Sequence, residues 1–160
     1  MKKIVYFHGL ETPPGGEKVG FLATKGIVHA PPMKYKELTC LTPILLDVMA
    51  FKPDLIVGSS MGAYLAYQLA QHLDTEVILF NPAVHGRSFD LPPLSKGNRK
   101  VKGVCALGMK DKIINPKVTL EILKNEPLNF IEIKDMAHRV SFEVFVDIYN
   151  KYLEHNEYNS

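Results

Sequence analysis

Residues 54–70 read DLIVGSSMGAYLAYQLA, and the order of residue types in this stretch decides the architecture. A short apolar run ends at Gly58, two serines and a methionine lead to Gly62, and Ala and Leu then recur at helical spacing. The run reads as a buried strand (54–58) and the periodic segment as a helix (61–73). A strand that turns into a helix this quickly needs glycine where side chains would collide, and Gly58 and Gly62 stand at those two points. Together they frame G-x-S-x-G, with Ser60 at the centre and Ser59 in the variable position. Such a turn lifts the central hydroxyl clear of the sheet and turns the following amide, that of Met61, toward the same space. A helix starting there adds its partial positive charge. The plainer reading is a glycine-serine turn without chemistry. The strand before and the helix after favour a nucleophile at Ser60.

Outward from this turn, short apolar runs alternate with helix-patterned segments. KIVYFHG (3–9), GIVHA (26–30), EVILFNP (76–82), VKGVCALG (101–108) and LNFIEIKD (128–135) read as strands. YKELTCLTPILLDVMAF (35–51) has helical spacing, with Pro43 expected to kink or restart it. PKVTLEILKN (116–125) opens with a proline suited to a first turn, and FEVFVDIYNKYLEH (142–155) is amphipathic. Strand and helix in alternation, with strands apolar along their whole length, predict an α/β domain over 1–160. Its mainly parallel sheet of about six strands is covered by helices on both faces. The core is expected over about 3–154, with a polar tail at 155–160.

In such sheets function gathers at the carboxyl ends of the strands. A serine nucleophile needs a base within hydrogen-bond reach and an acid to orient that base. Of six histidines, His138 follows the last expected strand and lies on the same sheet edge as Ser60. His85, in the loop after FNP, is its rival. His29, His72 and His155 read as structural or surface residues. Asp111, just past a strand in LGMKDKIINP, is the candidate acid, with Asp135 the alternative. The chain order Ser60, Asp111, His138 is one of the orders in which this constellation occurs. Gly9, at the end of the first strand, lets the backbone approach a bound ester, so the amide of Leu10 is the natural partner of the Met61 amide in an oxyanion hole. His8 reads as support for this loop. Residues 12–16, TPPGG, read as a loop beside the pocket.

Composition bounds the alternatives. With 46% hydrophobic and 22% charged residues the chain is ordinary for a globular protein, and a net charge of +2 gives no basic excess for nucleic acid. The N-terminal apolar run is too short for a signal peptide, and no run reaches the roughly 18 residues of a membrane span. Two distant cysteines, Cys40 and Cys105, have no metal-like spacing and suit a reducing cytoplasm.

HGLE after the first strand, GSSMGAYLA at the turn, LGMKDKIINP and MAHRV together resemble the α/β-hydrolase superfamily over residues 4 to about 153. The compact size and early HG are similar to small esterases of the YqiA/UPF0227 type. The resemblance implies serine-dependent hydrolysis of small-molecule carboxylic esters or thioesters through an acyl-enzyme, with no metal or organic cofactor. Larger members begin with antiparallel strands and often insert a lid. Here nothing precedes KIVYFHG, and residues 83–100 read as a short proline-braced flap without a cap domain. Lys96, Arg99, Lys100 and Lys102 suggest a site for an anionic leaving group such as a coenzyme A thioester, although a solvated loop is the plainer reading. Acyl transfer or perhydrolysis on the same residues, or a non-catalytic interaction protein, are the alternatives. The pattern carries no signature of oligomeric state.

Overall fold

The structure is a computed structural model and describes all 160 residues. Six strands, β1 (Lys2–Phe7), β2 (Gly26–His29), β3 (Leu55–Ser59), β4 (Glu76–Phe80), β5 (Lys102–Gly108) and β6 (Leu128–Ile133), form one sheet in the order β2-β1-β3-β4-β5-β6. Every neighbouring pair is parallel. Five helices connect or flank them: α1 (Glu17–Ala23), α2 (Thr42–Phe51), α3 (Met61–Ala70), α4 (Pro116–Leu123) and α5 (Phe142–Asn159). This is the α/β-hydrolase fold in compact form. No helix is long and apolar enough to cross a membrane.

The unbroken apolar runs are explained by two cores, one on each face. Alternate side chains of a strand point to opposite faces. Val5, Phe7, Ile56, Val77, Leu79, Cys105 and Leu107 pack with α2, α3 and α4, while Ile4, Tyr6, Leu55, Val57, Ile78, Phe80 and Val104 pack with α1 and α5. Each fully buried side chain of this size contributes about 2 kcal/mol relative to exposure.

Several boundaries differ from the sequence reading. Helix α1 has no clear apolar periodicity in the sequence. Only Leu22 in it is fully buried, and its place comes from Phe21, whose ring meets Phe142, Phe145 and Tyr149 of α5 edge-on. The segment 35–51 is a one-turn 3₁₀ helix at Tyr35–Glu37 and then α2, with Pro43 in the first turn of α2. Pro43 therefore restarts the helix and does not kink it. Helix α3 ends at Ala70, earlier than its periodicity suggested. The polar tail is helical through Asn159, because Asn156 and Tyr152 both donate to Glu76 Oε1 at the start of β4 (3.2 and 3.3 Å) and Asn159 donates back to the His155 carbonyl.

Burial also sets a pH limit. It pushes the phenol of Tyr6 up to about 12, and burial with the neighbouring Glu126 carboxylate pushes Tyr67 to about 12. Tyr35 and Tyr152 are raised in the same direction, chiefly by burial. An unfolded tyrosine titrates near ~10. The folded chain holds these protons more tightly, so the linked stability is complete below about pH 10 and is lost as pH rises toward the folded values. Urea denaturation at pH 8 and pH 11.5 should give a lower midpoint at the higher pH, and burial of the Cys105 thiol, which is also pushed up, works in the same direction. A midpoint flat to pH 11.5 would contradict this linkage.

Candidate active site

The order of strands reverses between β1 and β3, and the carboxyl ends of these two strands carry Gly9 and Ser60. Ser60 caps α3 with φ 56° and ψ −114°, a conformation that costs a non-glycine residue about 1–3 kcal/mol. Its surroundings hold it there. The Ser60 N–H donates to the Phe80 carbonyl (2.9 Å), and its own carbonyl accepts from Tyr64 N (3.1 Å) and Ala83 N (3.0 Å). The two glycines are sterically required. A Cβ on Gly62 would lie 2.1 Å from the Phe7 carbonyl oxygen, and one on Gly58 would lie 2.5 Å from the Gly62 carbonyl oxygen. Helix α3 thus starts directly against β1 and β3.

Ser60 Oγ lies 2.9 Å from His138 Nε2, and His138 Nδ1 lies 2.7 Å from Asp111 Oδ2. The Asp111 side chain is fully buried and that of His138 is 21% exposed. A buried carboxylate needs donors around it. Asp111 has them: Oδ1 accepts from the amides of Ile113 (2.8 Å) and Ile114 (2.9 Å), and Oδ2 faces the imidazole. A carboxylate can only accept, so Nδ1 carries the proton and Nε2 is left to accept from the Ser60 hydroxyl.

The other candidates stand apart from this line. His85 Nε2 meets the Asn115 carbonyl (3.0 Å), His72 Nε2 the Ser95 carbonyl (2.8 Å), and His29 Nε2 the Asp47 carboxylate (2.8 Å). Asp135 is exposed and pairs with Lys110 at 3.2 Å. Ser59, the last residue of β3, takes no part in the Ser60–His138–Asp111 line, and its Oγ makes no side-chain hydrogen bond.

On the β1 side, His8 is 4% exposed and uses both ring nitrogens. Nε2 accepts from the Met33 amide (2.8 Å), so Nδ1 bears the proton and donates to the Gly9 carbonyl (2.6 Å). Tyr35 Oη donates to the His8 carbonyl. The loop is thereby tied to the chain that follows β2. Gly9 rests on the turn: a Cβ there would lie 3.5 Å from the Ser59 carbonyl oxygen and 3.8 Å from Ser60 Cβ. The amides of Leu10 and Met61 donate to no loop, turn or side-chain acceptor.

Residues 83–100 form no helix or strand. Near the site the flap is braced by Arg87, which donates to the Ala83 carbonyl (2.9 Å), pairs with Asp90 and lies 4.1 Å over the Tyr64 ring. Its basic end runs away from Ser60. Arg99 N donates to the Gln71 carbonyl just past the far end of α3, and Arg99 and Lys102 lie 3.9 and 3.6 Å from Asp74. A ten-residue helix is about 15 Å long, so the suggested role of Lys96, Arg99, Lys100 and Lys102 in meeting a leaving group is corrected: this cluster sits at the opposite edge of the sheet. A cavity of about 420 Å³ lies between β1 and α2, with apolar (Phe7, Met33, Val48) and charged (Lys34, Glu37, Asp47) residues in its lining, and neither Ser60 nor His138 lines it.

One buried residue at this edge had no role in the sequence reading. Asn81, directly after β4, is 2% exposed and has φ 43°. The signal available was an Asn-Pro pair at a strand's carboxyl end, which marks a turn without saying what the amide holds.

The family model of UPF0227, described as an uncharacterised protein family, matches residues 3–100. That span includes Gly9, Ser60 and Asn81, while Asp111 and His138 lie beyond it. No curated protein matches the chain. Among solved structures, a Xanthomonas campestris pv. campestris protein assigned to the alpha/beta hydrolase superfamily has 19% identity and a TM-score of 0.72, over 97% of this chain and 99% of that one. Alpha/beta hydrolase domain-containing protein 10 from mouse has 15% identity and a TM-score of 0.66, over 99% and 90%. Esterase PE8 has 14% identity and a TM-score of 0.67, over 96% and 92%. At these identities the likeness is one of fold. With more than half of its length matched by the family model, the chain belongs to the UPF0227 family.

Proposed function

We propose that the chain is a serine hydrolase that cleaves carboxylic esters or thioesters of small or medium acyl groups through an acyl-enzyme. The observation that carries this reading is the continuous hydrogen-bonded line from Ser60 Oγ to His138 (2.9 Å) and from His138 to the buried Asp111 carboxylate (2.7 Å). Likeness in fold to an esterase supports it further.

In this reading Ser60 Oγ attacks the acyl carbonyl while its proton passes to His138 Nε2. Asp111 keeps the Nδ1 proton in place and stabilises the imidazolium that forms. The carbonyl oxygen gains negative charge between the Leu10 and Met61 amides, which have no other acceptor, beside the N-terminus of α3. The imidazolium then gives its proton to the departing alcohol or thiol. Water attacks the acyl-enzyme, loses a proton to His138, and the acid leaves with Ser60 restored. No step uses a metal or organic cofactor.

A fluorophosphonate probe tests the reading, since only an activated serine is phosphonylated. Labelling is expected at one site, Ser60, with p-nitrophenyl ester turnover lost in step. Turnover that survives complete labelling, or no labelling at all, would refute it.

A further inference from the structure

We propose that Asn81 is a positioning residue that sets His138 against Ser60. The proposal rests on the serine-hydrolase reading and adds to it a group that touches none of the reacting atoms. His138 lies in a bend between β6 and α5, outside any helix or strand, so its backbone must be held by other means. Asn81 holds it. One side-chain nitrogen, Nδ2, donates to the carbonyls of Ala137 (3.0 Å) and His138 (2.9 Å), and Oδ1 accepts from the Gly108 amide at the end of β5 (2.8 Å). Two carbonyls need a donor and one N–H needs an acceptor, so only one orientation of the amide fits. Among uncharged side chains, a primary amide is what supplies two donors and an acceptor from one short stem. The bend is also seated closely on β5. A Cβ on Gly108 would lie 2.5 Å from the Met136 carbonyl oxygen, and Lys110 N donates to that same oxygen (3.0 Å).

The same short segment grips the nucleophile. Phe80 O accepts from Ser60 N (2.9 Å), and Ala83 N donates to Ser60 O (3.0 Å). Residues 80–83 therefore hold the Ser60 backbone from one side and the His138 backbone from the other, so that the 2.9 Å Oγ–Nε2 separation is set across β3, β4 and β5 at once. The left-handed backbone of Asn81 (φ 43°) is what lets one residue do this. It ends β4, donates its own N–H to Ala106 O (3.0 Å) and turns its side chain toward the His138 bend. Asparagine is among the few non-glycine residues that adopt this region readily.

Two substitutions separate positioning from folding. Asn81→Gly takes up the same backbone without strain and loses all three side-chain bonds. Asn81→Asp keeps the shape and the acceptor for Gly108, but an ionised carboxylate offers the two carbonyls no donor. For both, kcat toward a p-nitrophenyl ester should fall about 10–100-fold, as expected for a displacement of reacting groups on the order of 1 Å, with KM nearly unchanged. The low-field proton resonance of His138 Nδ1–H, shared with Asp111, should broaden or move. Circular dichroism reports whether each variant is folded. A folded variant that keeps the parent kcat and the parent resonance overturns the proposal. So does a loss of kcat that only tracks the unfolded fraction, or the unfolding of both variants, since either gives Asn81 a purely structural role. If the parent itself neither turns over esters nor reacts with the probe, the serine-hydrolase reading is what fails. The resonance then still reports whether Asn81 places His138.

Discussion

On the proposed function, alanine at Ser60 is expected to lower ester turnover on the order of 10⁶-fold, the scale seen when the triad serine is removed from a serine hydrolase. Alanine at Ser59 should leave turnover largely intact. The two hydroxyls are neighbours in sequence but not in chemistry. Ser60 Oγ meets His138 Nε2, whereas the Ser59 side chain ends β3 without a hydrogen-bond partner. Steady-state rates of the two variants on one p-nitrophenyl ester decide the matter, and comparable losses in both would overturn the assignment. A third variant separates chemistry from backbone cost. Ser60→Gly should be as inactive as Ser60→Ala yet more stable than it by about 1 kcal/mol, because glycine adopts φ 56° and ψ −114° without a Cβ penalty. Equal denaturation midpoints for the two would argue that the turn is not strained.

The exchange of Asp111 for asparagine is expected to lower kcat about 10⁴-fold with little change in fold. The substituted side chain keeps an oxygen for the Ile113 and Ile114 amides, the bonds that fix it in its buried site. Toward His138, however, it presents an N–H₂ in place of a carboxylate oxygen. The imidazole must then accept at Nδ1 and carry its proton on Nε2, where it faces Ser60 and cannot receive a second one. The defect is one of tautomer, so it should persist at every pH from 6 to 9 and show no recovery at the alkaline end. Asp135→Asn is the matched control. Its carboxylate lies on the surface beside Lys110 at 3.2 Å, and such exposed pairs contribute at most about 1 kcal/mol, so turnover should be unaffected. A large loss at position 135 with a small one at 111 would invert the assignment of the acid.

The parts that could be read from the sequence share a physical reason. A buried parallel strand must be apolar along its length, and a strand that turns sharply into a helix must carry glycine at Gly58 and Gly62. Such constraints act within a few residues, so β3, the turn and α3 were visible directly. Ser60, Asp111 and His138 followed because each sits just past a strand, and the structure brings them within hydrogen-bond reach. What escaped depends on distant partners. Helix α1 has one fully buried residue and takes its place from the α5 aromatics. The end of α5 is polar in composition, yet it is fastened to Glu76, which lies 80 residues from Asn156. Asn81 looks like an ordinary turn residue until the bend at His138 is folded over it. The position of the basic cluster at 96–102 could not be read either, because proximity in sequence to the flap says nothing of which end of α3 the chain passes, and the plainer reading of a solvated loop is the one that fits.

The all-parallel sheet has a consequence for the order in which the site is assembled during synthesis. Parallel neighbours cannot be joined by a tight hairpin, so each pairing waits for a crossover to be made. Contacts of long sequence separation are the slow ones to form. The turn at Ser60 needs only β1, β3 and β4, all of which leave the ribosome early. His138, which faces its hydroxyl, is 78 residues further on, behind β5 and β6. In the order of synthesis, the residues that hold the Ser60 backbone therefore come before the residue that faces its hydroxyl. The Ser60–His138 contact is completed only when the last strand has docked and the bend after it has closed over β4. Under the proposed function, reactivity at Ser60 requires the finished fold.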